Sequence, residues 1–79
     1  MYEKIINKIA EIMEISQDTI KERDNLFDDI GMDSLQMVGL ILDLEEEFNL
    51  EIDFEEIDFE EIITVKSFCE FIGNLENGK

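Results

Sequence analysis

One serine stands out as a place where chemistry could happen. Ser34 lies in Asp33-Ser34-Leu35, just after Phe27-Asp28-Asp29-Ile30-Gly31-Met32 and just before a long run of apolar and acidic residues. That position puts a single hydroxyl at the entry to a helix. The chain has no histidine, so a Ser-His-Asp arrangement is excluded. No lysine lies near Ser34 in sequence; Lys21 and Lys66 stay open as distant partners for a serine–lysine pair. A hydroxyl without a base is poorly equipped to attack a substrate, yet well placed to be modified and to carry a group. A phosphodiester at the first turn of a helix would meet free backbone N–H groups and the positive end of the helix dipole. Asp33 opposes this with its own charge, but it can cap and orient the turn. The plainer account is an ordinary first-turn serine.

The many acids invite catalytic and metal hypotheses. General acid–base work needs a carboxylate whose pKa is raised by burial, and nearly all the acids here fall on faces expected to be solvated. An EF-hand register that puts Gly31 at the obligatory glycine puts Leu26, Asp28 and Ile30 at the first three ligand positions. Two of those three have no side-chain oxygen, so the loop fails as a calcium site. Weak, nonspecific binding of divalent cations by clustered carboxylates is expected instead. Cys69 is alone, so it makes no internal disulfide and builds no zinc site. Its neighbours Phe68 and Phe71 mark it as a structural thiol on a helix.

Charge narrows the partners further. Six basic residues against 22 acidic ones give −16 over 79 residues. Such a surface repels nucleic acid and anionic membranes, which select basic patches. It attracts Lys/Arg patches on other proteins, an effect that salt weakens. It also repels itself, so added salt or divalent cations should tighten the fold. The opening Met1-Tyr2-Glu3-Lys4 leads into an amphipathic pattern rather than a signal sequence. No apolar run is long enough to span a bilayer, and a cytoplasmic protein is expected.

The elements that must position Ser34 follow from periodicity. Apolar content is 44 % and proline is absent, which favours one all-α domain over residues 1–79. Tyr2, Ile5, Ile6, Ile9, Ile12 and Met13 recur at helical spacing and predict a helix over 2–14. Residues 16–25 read as a connection with a short turn capped by Asp18. Leu26, Phe27 and Ile30 then anchor this long loop against the core. Gly31 suits a sharp turn, and Asp33 with Gln36 gives a capping-box pair that opens a second helix over 34–48. Asn49 can end it with a left-handed cap. Residues 50–54 hint at an extended piece and 57–62 at a short helix. Thr64 caps a last helix over 65–75, with Val65, Phe68, Cys69, Phe71, Ile72 and Leu75 facing inward; Gly73 weakens its end and Gly78-Lys79 should fray.

The second helix carries two apolar stripes. At about 100° per residue, Met37, Leu40, Ile41, Leu44 and Phe48 gather on one side as a core stripe. Val38, Leu42 and Leu35 lie off its centre and share their side with Ser34, Gly39, Glu45 and Glu46. Two accounts fit: a wide buried face that includes Val38, or a docking strip whose knobs supply contact area and whose carboxylates meet Lys/Arg. Gly39 costs roughly 1 kcal/mol relative to alanine inside a helix. Neutral drift or close packing explains it more simply than a partner's approach. A cavity between Met37, Ile41, Ile57 and Ile62 could hold a chain.

The run Leu26-Phe27-Asp28-Asp29-Ile30-Gly31-Met32-Asp33-Ser34-Leu35 resembles the acyl and peptidyl carrier proteins, the phosphopantetheine-attachment domains. Leu44-Glu45-Glu46-Glu47-Phe48, Glu51-Ile52 and Ile63-Thr64-Val65 extend the resemblance in order over almost the whole chain. The resemblance implies a small four-helix bundle with a short third helix and a long ordered loop between helices one and two. It implies that a phosphopantetheinyl transferase uses coenzyme A to attach 4′-phosphopantetheine to Ser34, flanked by Asp33 and Leu35. The arm's thiol would hold acyl or aminoacyl groups as thioesters for fatty-acid, polyketide or related biosynthesis, and the chain itself would catalyse nothing. Helix two becomes the recognition helix, with Leu35, Val38, Leu42, Glu45 and Glu46 meeting basic patches on loading and synthase enzymes. A monomer is expected.

Two departures tilt the reading toward a specialised pathway. Gly39 stands where the family often has Glu, which removes one customary charge contact. Residues 53–63 look longer and more acidic than in fatty-acid carriers, with Phe54 and Phe59 added. The competing reading is an acidic protein–protein interaction module with no prosthetic group.

Overall fold

Apolar residues at spacings of three and four give each helix one face to bury, and that face fixes the architecture. The computed structural model describes residues 2–77, so the expected fraying of Gly78 and Lys79 lies outside the described residues. Three α-helices run in order: α1 (Tyr2–Met13), α2 (Ser34–Phe48) and α3 (Val65–Asn77). Two 3-10 turns, Gln17–Thr19 and Phe54–Glu56, lie in the connections. The all-α expectation holds; the β-type pairing among the described residues is one antiparallel bridge between Asn25 and Thr64.

The helices end where local chemistry stops them. α1 closes one residue before Glu14, which takes a left-handed conformation (φ 56°). The next N–H, of Ile15, then reaches back to the Ala10 carbonyl at 3.0 Å, satisfying an otherwise orphaned acceptor. α2 ends in the same manner at Asn49 (φ 55°), with the Leu50 N–H on the Glu45 carbonyl at 2.9 Å. α3 begins at Thr64, whose hydroxyl accepts the Ser67 N–H while the Ser67 hydroxyl accepts the Thr64 N–H, both at 3.1 Å. The first 3-10 turn is capped by the Ser16 hydroxyl, not by Asp18. Asp18 sits inside the turn, and its own N–H is the group being capped.

The core forms between the inner faces. Ile5, Ile6, Ile9 and Ala10 of α1 meet Met37, Leu40, Ile41 and Leu44 of α2 and Val65, Phe68 and Ile72 of α3. Phe48, Cys69, Phe71 and Leu75 pack at its edge, half-buried. Tyr2 is exposed. An exposed Lys4–Glu47 pair at 3.3 Å, with Lys4 above the Phe48 ring, links α1 to the end of α2. Such a pair adds little stability.

The long first connection is ordered because it is buried and stitched. Ile20, Leu26 and Met32 are core residues, with Phe27 and Ile30 half-buried beside them. The Leu26 N–H bonds the Ile63 carbonyl at 2.7 Å, Val65 N–H bonds the Asp24 carbonyl at 3.0 Å, and Lys66 N–H bonds the Glu22 carbonyl at 2.9 Å. These three bonds tie the approach to Ser34 onto the start of α3.

The short third helix expected at 57–62 is not an α-helix. The chain makes the Phe54–Glu56 3-10 turn and then a hydrogen-bonded turn over 59–62. The sequence explains why. Asp53 and Asp58 each use a side-chain oxygen to accept the N–H two residues on, from Glu55 at 2.9 Å and Glu60 at 3.0 Å. Such local bonds compete with the helical ladder. Seven acids between 51 and 61 add like-charge pairs at helical spacing, and six residues cannot offset helix nucleation. Leu50, Ile52 and Ile62 still pin the segment to the core.

Candidate functional site

The site is built from the loop upward. Asn25 organises the turn before Ser34: its side-chain oxygen accepts the N–H groups of Phe27 and Asp28, both at 2.8 Å. The Asp29 carboxylate returns the favour by accepting the Asn25 N–H at 2.7 Å. Met32 is buried and donates its N–H to the Leu26 carbonyl at 2.9 Å. Gly31, between these fixed points, takes φ +88°, a conformation that side chains disfavour. The sharp turn expected at Gly31 is therefore real, and it aims Asp33 and Ser34 at the surface.

Asp33 forms the expected capping box. Its Oδ1 accepts the Gln36 N–H at 2.8 Å, and Gln36 Oε1 accepts the Asp33 N–H at 3.0 Å. The Asp33 carbonyl accepts the Met37 N–H at 3.0 Å. Ser34, the first helical residue, is exposed. Position alone leaves the N–H groups of Ser34 and Leu35 as the unclaimed donors of this first turn. An anion esterified to the Ser34 Oγ has those donors and the helix dipole within reach, so the residues present fit a phosphodiester. Lys21 donates to the Asp18 carbonyl at 3.4 Å rather than to Ser34.

Ser34 also borders a groove. Phe27, Met37, Val38, Phe54 and Phe59 line a cavity of about 590 Å³ together with Ser34. The walls come from the loop, α2 and the 53–62 segment, and among the described residues the lining side chains other than Ser34 are hydrocarbon and thioether. Of the four residues expected to enclose a cavity, only Met37 lines this one; Ile41 and Ile62 are buried in the core instead. Sequence reasoning missed Phe27, Phe54 and Phe59 as walls. No local pattern joins residues so far apart in the chain.

The outward strip of α2 divides in two. Leu35 is 80 % and Leu42 51 % exposed, the reverse of a core role. Glu46 is exposed, while Val38 and Glu45 are half-buried. Val38 belongs to the groove. Glu45 has structural work, since its Oε2 accepts the Ile52 N–H at 2.7 Å. Close packing does not explain Gly39, because an added Cβ there would meet nothing within 4 Å.

Elsewhere, no charged or polar side chain among the described residues is buried. Nor does any group of three acids or thiols among them converge as a metal site. Burial, then the nearby Glu22 and Glu70 carboxylates, push the Cys69 thiol up to about 11. It stays protonated near neutral pH, as a structural thiol should. Among the described residues no helix is long and apolar enough to cross a membrane.

Known proteins match this arrangement along its length. A family model described as "Phosphopantetheine attachment site" matches residues 3–72. The acyl carrier protein of Campylobacter hominis is 32 % identical over 79 residues, covering all of this chain and 98 % of that one. Acyl carrier protein AcpXL of Rhizobium meliloti is 30 % identical over 87 residues, covering 99 % of this chain and 92 % of its own. Members of this family carry groups on 4′-phosphopantetheine rather than transform them. With its exposed serine at a capped helix start, its apolar groove and these full-length relatives, the chain belongs to the phosphopantetheine-attachment family of acyl carrier proteins.

Proposed function

We propose that this chain holds acyl intermediates as thioesters on a 4′-phosphopantetheine arm joined to Ser34. The observation that carries the reading is an exposed Ser34 hydroxyl at the capped start of α2, on the rim of an apolar groove. The chain offers no histidine to deprotonate that hydroxyl. In this reading a phosphopantetheinyl transferase supplies the base. In that step the Ser34 Oγ forms a bond to the phosphorus of coenzyme A's pantetheine-linked phosphate. The pyrophosphate bond breaks, adenosine 3′,5′-bisphosphate leaves, and the serine proton passes to the transferase. When bound, the arm supplies a terminal thiol for thioester chemistry. The N–H groups of Ser34 and Leu35 would hold its phosphate, and the Asp33 capping box keeps that turn in place.

The groove supports apolar acyl cargo over aminoacyl cargo. Among the described residues its walls provide no charged side chain to meet an ammonium group, and burying an unpaired charge is costly. Leu35, Leu42 and Glu46 form the outer docking strip, with Val38 and Glu45 at its inner edge. Its partners are the transferase and the loading and synthase enzymes, through basic patches. The chain acts as a cytoplasmic monomer. Gly39 and the acidic 53–62 segment favour a dedicated pathway over housekeeping fatty-acid synthesis.

The test is incubation with coenzyme A and a phosphopantetheinyl transferase, read by intact mass. The wild type should gain one phosphopantetheine, and Ser34→Ala should gain none while melting at the same temperature. A gain that persists in Ser34→Ala overturns the assignment. No gain in the wild type, with salt-sensitive binding to cationic proteins retained, would favour an acidic interaction module.

A further inference from the structure

Residues 52–61 hold the same five residues twice in succession, Ile52-Asp53-Phe54-Glu55-Glu56 and Ile57-Asp58-Phe59-Glu60-Glu61. Each copy makes the same local bond. The Asp side chain accepts the N–H two residues on, from Glu55 at 2.9 Å and from Glu60 at 3.0 Å. The Phe between them is held inside that turn. Ile52 before the first copy's turn and Ile62 after the second are buried and pin both ends to the core.

Both phenylalanines reach one place. Phe54 and Phe59 line the groove beside Ser34, with Phe27, Met37 and Val38. Side chains five residues apart on an α-helix diverge by about 140°, so the two turns are what bring both rings to one cavity. Half of the chain's six phenylalanines line it. Phe59 stays 38 % exposed, so the core leaves part of that ring for something else to cover.

We propose that this repeated unit sets the cargo: its two rings seat a compact, uncharged aryl group carried on Ser34, in preference to a straight alkyl chain. The proposal rests on the carrier reading above. Ser34 lines the same groove, so a group tethered there reaches the rings when its tether folds back. Charge excludes an ionised cargo. Among the described residues the lining offers no cation to a carboxylate and no anion to an ammonium, and the acids of the repeat repel a second carboxylate. Depth excludes a long chain. Of the buried core residues described, Met37 alone lines the groove, while Leu40, Ile41, Leu44 and Ile62 are buried elsewhere. A long alkyl chain would have to part those residues or lie in water. Rigidity favours an arene, because an alkyl chain loses torsional freedom at each bond it fixes, whereas an aromatic ring buries its area with few torsions. Edge-to-face attraction between rings adds to burial and is worth roughly two- to tenfold in seated population.

The test loads the full chain through a phosphopantetheinyl transferase with two coenzyme A thioesters of one carbon skeleton, 3-phenylpropanoyl and 3-cyclohexylpropanoyl. Cleavage of the thioester by hydroxylamine, followed by intact mass, reads shielding, each rate being divided by that of the free pantetheine thioester. Nuclear Overhauser effects between the cargo and the Phe54 and Phe59 rings read its place. The phenyl form should react roughly two- to tenfold more slowly than the cyclohexyl form and show effects to both rings. Phe54→Leu with Phe59→Leu keeps the wall apolar and should bring the two rates together. Equal rates in the wild type, faster cleavage of the phenyl form, no effect to either ring, or a difference that survives in the double variant overturns the aryl assignment and leaves the carrier reading standing. Should the double variant fail to fold, the wild-type rates and ring contacts decide alone. A wild-type chain that takes up neither probe on Ser34 overturns the carrier reading and the aryl assignment together.

Discussion

Glu45 and Glu46 are adjacent, equally charged and indistinguishable by type, yet they should respond very differently to substitution. The Glu45 Oε2 accepts the Ile52 N–H at 2.7 Å, and Ile52 itself is buried. The Glu45 carbonyl also accepts the Leu50 N–H at 2.9 Å. One residue thus clamps the end of α2 to the chain that returns across the core. Glu45→Ala leaves the Ile52 amide without its acceptor. Hydrogen bonds to charged groups are worth about 1.5–3 kcal/mol. Glu45 is half-buried, so water replaces part of the bond and the net loss should be about 1–2 kcal/mol. For a domain of this size each kcal/mol moves Tm by about 4–8 °C, so Tm should fall by about 5–15 °C. Glu45→Gln keeps an acceptor oxygen and should lose less than half as much. Glu46→Ala, at an exposed site, should stay within about 0.5 kcal/mol, or gain slightly as self-repulsion eases. Thermal melts followed by far-UV circular dichroism decide it. Equal Tm losses for Glu45→Ala and Glu46→Ala would refute the clamp.

Other consequences are as direct. Gly31→Ala forces a side chain into φ +88° and should cost about 1 kcal/mol or more, read as a lower Tm by calorimetry, with Gly31→Asn milder. Asp33→Ala removes the cap on Gln36 and should cost about 1 kcal/mol; Asp33→Asn keeps an acceptor and should cost only a few tenths in the same urea titration. Cys69 should react with iodoacetamide roughly a hundredfold more slowly in the folded protein than in denaturant near neutral pH. The folded thiol keeps its proton to a higher pH than the unfolded one, so the unfolded state binds fewer protons in between. Stability from this group is therefore full below the ordinary thiol value of 9.0 and is lost as pH rises toward about 11. Urea titrations on either side of that window should show the fall in the wild type and a smaller one in Cys69→Ala.

Much of this was legible in the chain because the controlling interactions are local. Asp33, Gln36 and the following apolar run specify a capped helix within four residues, and Asn49 specifies its end. Leu26 and Gly31 could be read as anchor and turn for the same reason. The groove could not, because Phe27, Phe54 and Phe59 meet Ser34 only after the loop and the 53–62 segment close over α2. The short helix over 57–62 was misjudged for an energetic reason. Its apolar spacing fits a helix, but the Asp58 side chain captures the Glu60 N–H first. Glu45 looked like its exposed neighbour because a carboxylate's partner seven residues away leaves no pattern in the sequence.

The central claim concerns Ser34, and fragmentation mass spectrometry of the protein purified from its own cells tests it most directly. The account predicts phosphopantetheine on the peptide that contains Ser34, bearing an apolar acyl thioester when thioesters are preserved. An unmodified Ser34 throughout the native population, or the group found on another residue, would contradict it.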